Sequence, residues 1–348
     1  MININKIYKI FFFNLLFLFS IILIIEIIFG MWFEKINFGP DMRGKRLQKI
    51  IYYHQNNEIL YNRDFYGFRE NNNNEKYDVK KIDILFSGGS TGDEQYLNYE
   101  ETIVGRLNQT FKNENLNIKI TNASLNGKSL SGNINEFANW FDQIPDLNPK
   151  VIIYYLGIND TFMKSDGFLD FNLKLNYKKK IQNKIASKSF FYNKLKLIKD
   201  RYLPNKISWE KNINDPQLKK LINNSNNKFY NDAINQFVKN NEIEILIANY
   251  LSKLKLLKNE LDKRDIKSIF ITQIRYDVLG DKKLFFLNQA LKEFCLRNKY
   301  SIIKLDEMID QPINNFFIDE IHVDKNGANY IASKIYPKLK SELKYLLN

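Results

Sequence analysis

Cysteine and histidine are almost absent from this sequence: Cys295 is the only cysteine, and His54 and His322 are the only histidines. A lone cysteine excludes an intramolecular disulfide and a multi-cysteine zinc site. Its setting in the apolar rhythm of LNQALKEFCLRNKY marks it as a buried helix residue rather than a nucleophile. A condensed Arg/Lys stripe and a nucleic-acid-binding motif are also missing. The net charge is +13, but the lysines are dispersed among asparagines, isoleucines and tyrosines, so no nucleic-acid partner is expected. Such a basic surface suits an anionic membrane or an acidic glycan. No internal repeat is evident. The chain of 348 residues is long enough to bury an ample core, in one large domain or two small ones.

One long hydrophobic run is present. Ile10 to Phe29 reads IFFFNLLFLFSIILIIEIIF, with Asn14, Ser20 and Glu26 as its polar members. At about 1.5 Å per residue it reaches the roughly 30 Å hydrocarbon thickness of a bilayer. A cleaved signal peptide has a shorter apolar stretch and a small-x-small cleavage site, which GMWFEK lacks. The run therefore reads as an uncleaved anchor, with Trp32 at the interface and the Glu26 carboxylate within reach of headgroups. Lys6 and Lys9 precede the run, while Lys35, Arg43, Lys45, Arg46 and Lys49 follow it. Counted simply, these charges put the following domain in the cytoplasm, but long domains translocate largely regardless of charge.

Residues 1–31 are thus read as an anchor with a short tail and 32–80 as a polar, aromatic-rich connector. The connector ends in ENNNNEKYDVKK, whose asparagine run marks a flexible loop. From residue 81 to 348 strand-like and helix-like segments alternate. Strands are predicted at 82–87, in NIKITNAS, at 150–157, at 267–273 and in YSIIKL. Helices are predicted at 99–114, in NINEFANWFDQI, at 242–263 and at 282–298, with a closing helix interrupted or kinked near Pro337. This alternation predicts a mostly parallel sheet covered by helices on both faces. The pattern lapses over about 161–241, which reads as a basic, asparagine-rich insertion. That insertion forms either a helical cap over the carboxyl edge of the sheet or a solvated elaboration.

The carboxyl ends of parallel strands hold the sites of open α/β sheets. SGGSTG follows the first strand, and its glycines allow a tight turn that leaves the Ser90 hydroxyl at the edge. NASLNGKS follows the second and offers the Gly127 N–H. LGIND follows the third, where the Asn159 amide can aim at the same point. DEIHVDKNG sets Asp319 and His322 three residues apart before the last helix. Each feature alone is common. His54, in IIYYHQNN, lacks any such setting and reads as structural.

Together GGST, NASLNG, GIND and DEIHVDKNG resemble, in order and topological position, the four blocks of the SGNH (GDSL-like) serine hydrolases. The resemblance covers about 82–160 and 242–345, and YNRDFYGFRE at 61–70 is similar to the lead-in of membrane-anchored bacterial members. Gly89 stands where the family's name-giving sequence has aspartate, a position outside the triad. The resemblance implies a three-layer α/β/α sandwich, flavodoxin-like, with no metal or cofactor. It implies Ser90 as nucleophile, His322 as general base and then acid, and Asp319 as the group orienting the imidazole. Ser90 N–H, Gly127 N–H and the Asn159 amide would form the oxyanion hole. The activity implied is ester hydrolysis through an acyl-enzyme, in an extracytoplasmic (periplasmic) domain acting on an acyl or O-acetyl group of an envelope glycan. Two alternatives stand beside it: an O-acyltransferase using the same triad on an envelope polysaccharide, and a non-catalytic envelope assembly protein.

Overall fold

A computed structural model of the chain describes residues 4–34, 36, 38–39, 42, 45–54, 57–70, 77–162, 177–203, 205–206, 241–276, 282–310 and 313–347. The expected asparagine-rich loop at 71–74 and much of the insertion lie outside the described residues, as does the His54 side chain.

In chain order the elements begin with α1 (Ile4–Phe29), β1 (Lys49–His54), β2 (Asn57–Asn62), β3 (Ile84–Gly88), α2 (Ser90–Asp93) and α3 (Ile103–Asn113). Next come β4 (Ile120–Asn122), α4 (Leu130–Asn139), β5 (Val151–Tyr155), α5 (Ile158–Thr161), α6 (Tyr177–Lys188), α7 (Phe190–Tyr202) and β6 (Asn205–Lys206). The last are α8 (Asn241–Asp262), β7 (Lys267–Ile271), α9 (Lys282–Asn298), β8 (Ser301–Ile303) and α10 (Lys325–Leu347).

The main sheet has the order β4-β3-β5-β7-β8, with every pair parallel. Its strands are short apolar runs because both faces are covered. Alternation along β5 shows the division: Ile152 and Tyr154 enter one core with Leu130, Phe137, Leu254 and Leu291, while Val151, Ile153 and Tyr155 enter the other with Val104, Leu107, Ile331 and Leu339. Helices α4, α8 and α9 cover the first face, and α3 and α10 the second, which gives the three-layer sandwich expected from the alternation. The chain runs from β3 outward to β4, then returns to β5 on the other side of β3. That reversal opens a crevice at the carboxyl ends of β3 and β5.

Cys295 is fully buried on α9, as its apolar rhythm predicts, and burial pushes its thiol well above the ordinary range. Helix α10 runs through Pro337 without the interruption that was one of the two expected outcomes. A proline removes one amide donor, but Ile335, Leu339 and Leu343 on either side are buried in the second core and hold the helix in register.

The connector holds more structure than its composition suggests. β1 and β2 form an antiparallel hairpin with β6 parallel on the other side of β1, making a second, three-stranded sheet. Phe38, Met42, Phe65 and Phe68 enter the first core, and Trp140 Nε1 donates to the Tyr66 carbonyl at 2.7 Å. Asp64 organises this turn: its Oδ1 accepts from the N–H of Tyr66 and of Phe68, both at 2.8 Å, and its Oδ2 accepts from Tyr77 Oη at 2.8 Å. Burial outweighs these bonds and pushes the Asp64 carboxyl up to about 7. The folded chain therefore holds a proton, between about pH 4 and pH 7, that the unfolded chain has released. Stability from this group is fully present at the acid end and is lost as pH rises, by about 4 kcal/mol at most. The melting temperature is expected to fall from about pH 4 to about pH 7, and Asp64→Asn should flatten that slope. An equal slope in the variant would assign the effect elsewhere.

Helix α1 is long and apolar enough to cross a membrane, with mean hydropathy 2.7 over Tyr8–Phe29 and none of that window buried. The Glu26 carboxylate is engaged by protein groups. Its two carboxylate oxygens accept the N–H of Phe190 at 3.0 Å and of Phe191 at 3.1 Å, and Oε1 also accepts Trp32 Nε1 at 2.8 Å. The first amides of a helix lack intrahelical acceptors, and α7 finds them on α1. The described part of the insertion is thus joined to the end of α1 and packs on β1.

Candidate active site

At the carboxyl edge of the sheet the turns that carry Ser90 and Asn159 meet. Strand β3 ends at Gly88, and Ser90 opens α2, 5% exposed, at the carboxyl edge. Asn159 lies in α5 after β5, with its Nδ2 donating to the Lys128 carbonyl at 2.8 Å. Gly89 explains how closely these turns meet. A Cβ at position 89 would overlap Asn159 Nδ2 and come within 2.9 Å of the Lys128 carbonyl. Glycine at this point admits the amide of Asn159 beside the Ser90 turn, so the departure from aspartate is a steric requirement of this chain.

Gly127 has φ +78°, a conformation that favours glycine, and a Cβ there would meet nothing within 4 Å. Its backbone therefore borders open space. Neither Ser90 N–H nor Gly127 N–H donates to another group among the described residues. The Ser90 and Gly127 N–H groups, and an Asn159 amide whose other N–H goes to the Lys128 carbonyl, are the donors these loops offer at this edge of the sheet. Such fixed donors cost little reorganisation when an oxyanion forms.

On the other side, His322 Nδ1 and Asp319 Oδ2 are 2.7 Å apart. Asp319 Oδ1 accepts the backbone N–H of Ile321 at 2.8 Å and of His322 at 2.7 Å, which fixes the carboxylate against the ring. Burial pushes the Asp319 carboxyl up, but the bond to His322, its charge and these two amides outweigh burial and hold it below the usual carboxylate range. With Nδ1 turned to Asp319, Nε2 is the imidazole atom left for proton transfer. The His322 ring stands edge-on to Tyr96 at 6.0 Å and borders a small cavity with Thr91, the neighbour of Ser90. The side chain as a whole is 18% exposed, while its Nε2 atom is buried.

Several supporting residues carried no signal in the sequence. Gln273, at the end of β7, donates from Nε2 to Thr91 Oγ1 at 2.8 Å and to the Tyr155 carbonyl at 3.0 Å, and its Oε1 accepts Ile158 N–H at 2.6 Å. It ties the Ser90 turn to the Asn159 turn. Beneath Gly127, Lys128 is buried in an ion pair with Glu136 and donates to Ser87 Oγ at 2.7 Å. Burial pushes the Glu136 carboxyl up, against the pull of Lys128. Asp93, at the end of α2, pairs with the fully buried Arg63 at 2.8 Å and accepts Asn126 N–H at 3.2 Å. Tyr61, Arg63 and Arg69 of the lead-in segment therefore brace α2 from below.

Gly89→Ala is expected to displace Asn159 and lower turnover on an activated ester by about 10²–10³-fold, the cost of one oxyanion donor, measured at a temperature where the variant remains folded. Unchanged turnover would show that the Asn159 amide does not act at Ser90.

No family model matches the chain, and no curated protein matches it. Solved structures similar in outline include an acetyl xylan esterase (12% identity, 74% of this chain and 100% of that one, TM-score 0.41). A lipase/acylhydrolase from Enterococcus faecalis is similar at 11% identity, covering 75% of this chain and 96% of that one, with TM-score 0.43. A member of the lipolytic protein G-D-S-L family from Veillonella parvula is similar at 13% identity, covering 74% and 97%, with TM-score 0.39. At this level of likeness the fold and the chemistry rest on this chain's own sheet order and residues.

Proposed function

We propose that the protein is a serine ester hydrolase working through an acyl-enzyme, as the resemblance of its sequence blocks implies. The observation that carries the reading is the Asn159 amide set against the Gly89–Ser90 turn, with the Asp319-oriented His322 bordering the same turn. Ser90 Oγ attacks the ester carbonyl carbon while His322 Nε2 takes its proton. The carbonyl π electrons move onto oxygen, which the N–H groups of Ser90, Gly127 and Asn159 receive. Collapse breaks the bond to the alkoxy oxygen, and His322 returns the proton to the leaving alcohol. Water, deprotonated by the same imidazole, then attacks the acyl carbon and releases the acid and Ser90. Asp319 stabilises the imidazolium in both halves.

For the substrate, we propose an acyl or O-acetyl ester on a glycan of the cell envelope, with the domain on the extracytoplasmic side. The α1 helix supports this reading by holding the domain near a membrane.

The test is reaction of the full-length protein with a fluorophosphonate probe, which modifies only an activated serine. Covalent labelling of the peptide containing Ser90 is expected. No adduct, or one at another serine, overturns the mechanism.

A further inference from the structure

The unabsorbed feature of this molecule is the exposed apolar surface of α6 and α7. At about 100° per residue, Tyr177, Ile181 and Ile185 fall within an arc of about 80° on α6, and Leu195, Ile198 and Tyr202 within about 60° on α7. These side chains are open to solvent: Tyr177 and Tyr202 are 79% and 78% exposed, Leu195 63% and Ile198 54%. Two helices whose apolar stripes have no partner among the described residues need something to cover them.

Three observations say what covers them. First, the stripes adjoin the end of α1. Glu26 caps the first amides of α7, Met31 N–H donates to the Lys188 carbonyl at 2.7 Å, and the rings of Phe29 and Phe190 lie 5.4 Å apart. At the end of α1, therefore, α6 ends and α7 begins. Second, the charge is one-sided. Residues 177–203 contain eight lysines and one arginine against a single aspartate, Asp200. Third, Lys194 and Lys199 are exposed beside the α7 stripe, placed as snorkelling cations flank an interfacial helix.

We propose that α6 and α7 lie in the membrane interface, with their apolar stripes among the acyl chains and their cations on anionic headgroups. The inference rests on reading α1 as a membrane span. It fixes the orientation of the whole domain, because α7 packs on β1. Tyr52 of β1 stands edge-on to Tyr96 at 5.7 Å, and Tyr96 to His322 at 6.0 Å. The imidazole is thus two ring contacts from the sheet that rests on α7, which brings the site close to the bilayer surface and favours esters held there.

The test uses the full-length protein in nanodiscs of phosphatidylcholine with phosphatidylglycerol. Cys295 is fully buried with its thiol pKa raised, so introduced cysteines take a nitroxide label selectively. Labels go on Ile181→Cys, Leu195→Cys and Ile198→Cys, with Leu16→Cys in α1 as the span reference. Leu296→Cys, on the exposed face of α9, is the aqueous reference. The readout is the ratio of collisions with oxygen to collisions with a water-soluble nickel chelate. At the three test positions the ratio is expected to be several-fold above that at 296 and below that at 16. Exchanging phosphatidylglycerol for phosphatidylcholine should lower it at 195 and 198 but not at 16; no change there would overturn the headgroup part. A ratio equal to that at 296, or protection from both reagents as in a protein contact, would overturn the proposal while 16 still reads as lipid. If 16 also reads as water, it is the span that fails.

Discussion

Ser90→Ala is expected to abolish fluorophosphonate labelling and to lower hydrolysis of an activated acetyl ester by about 10⁴-fold or more. The effect should be chemical and not structural. The backbone of α2 is held by bonds that the substitution keeps, among them Glu94 N–H to the Ser90 carbonyl at 2.9 Å and Asp93 N–H to the Gly89 carbonyl at 3.0 Å. The melting temperature should therefore stay close to that of the parent. Asp319→Asn gives the complementary result: it keeps the shape of the orienting group but removes the charge beside the imidazole. A loss of about 10²–10⁴-fold is expected, without loss of the serine itself. The two variants combined should cost little more than Ser90→Ala alone, because the residues act on one proton path. A Ser90→Ala protein that retains both activity and labelling would place the nucleophile elsewhere; one in which the parent itself shows neither would favour a binding role for the fold.

How much of this was legible in the sequence follows from where each signal resides. The five strands of the main sheet could be read because burial on both faces makes them continuous apolar runs, as in Val151–Tyr155. Ser90, Gly127, Asn159, Asp319 and His322 are proposed as the site because each follows a strand or precedes the last helix, and topology carries such points toward one edge. The β1–β2 hairpin escaped notice because its strands, KIIYYH and NEILYN, sit between polar segments and mix apolar with polar residues. Gln273 escaped for another reason: its bond to Thr91 joins residues 182 apart, and nothing local to β7 distinguishes it from any polar strand end. Glu26 was legible as an unusual charge in an apolar run, but its partners, the amides of α7, are 164 and 165 residues away.

Arg63 is the clearest case of a residue whose weight only the fold reveals, and Arg63→Met is expected to be the most destabilising of these substitutions. The guanidinium is fully buried. Its Nη2 lies 2.8 Å from Asp93 Oδ1, Nε donates to Tyr61 Oη at 2.6 Å and Nη1 to the Gly67 carbonyl at 2.6 Å. Burial works against its charge, yet Asp93 and Tyr61 outweigh burial and hold its pKa above the ordinary value. Removing it leaves the buried Asp93 carboxylate to Tyr61 Oη and Asn126 N–H with no cation in direct contact, because Arg69 Nε, 3.9 Å from Oδ1, is too distant for a direct hydrogen bond. Breaking a buried pair from one side costs about 3–5 kcal/mol, to be read from chemical denaturation of the full-length protein. Asp93→Asn in the same background neutralises the stranded charge and should recover part of that loss, so the double variant should be more stable than the sum of the single effects. Because Asp93 ends the helix that carries Ser90 and accepts the N–H of Asn126 next to Gly127, labelling of Ser90 should slow in Arg63→Met even at temperatures where the chain remains folded. Unaltered labelling in a destabilised but folded variant would confine Arg63 to holding the lead-in segment in place.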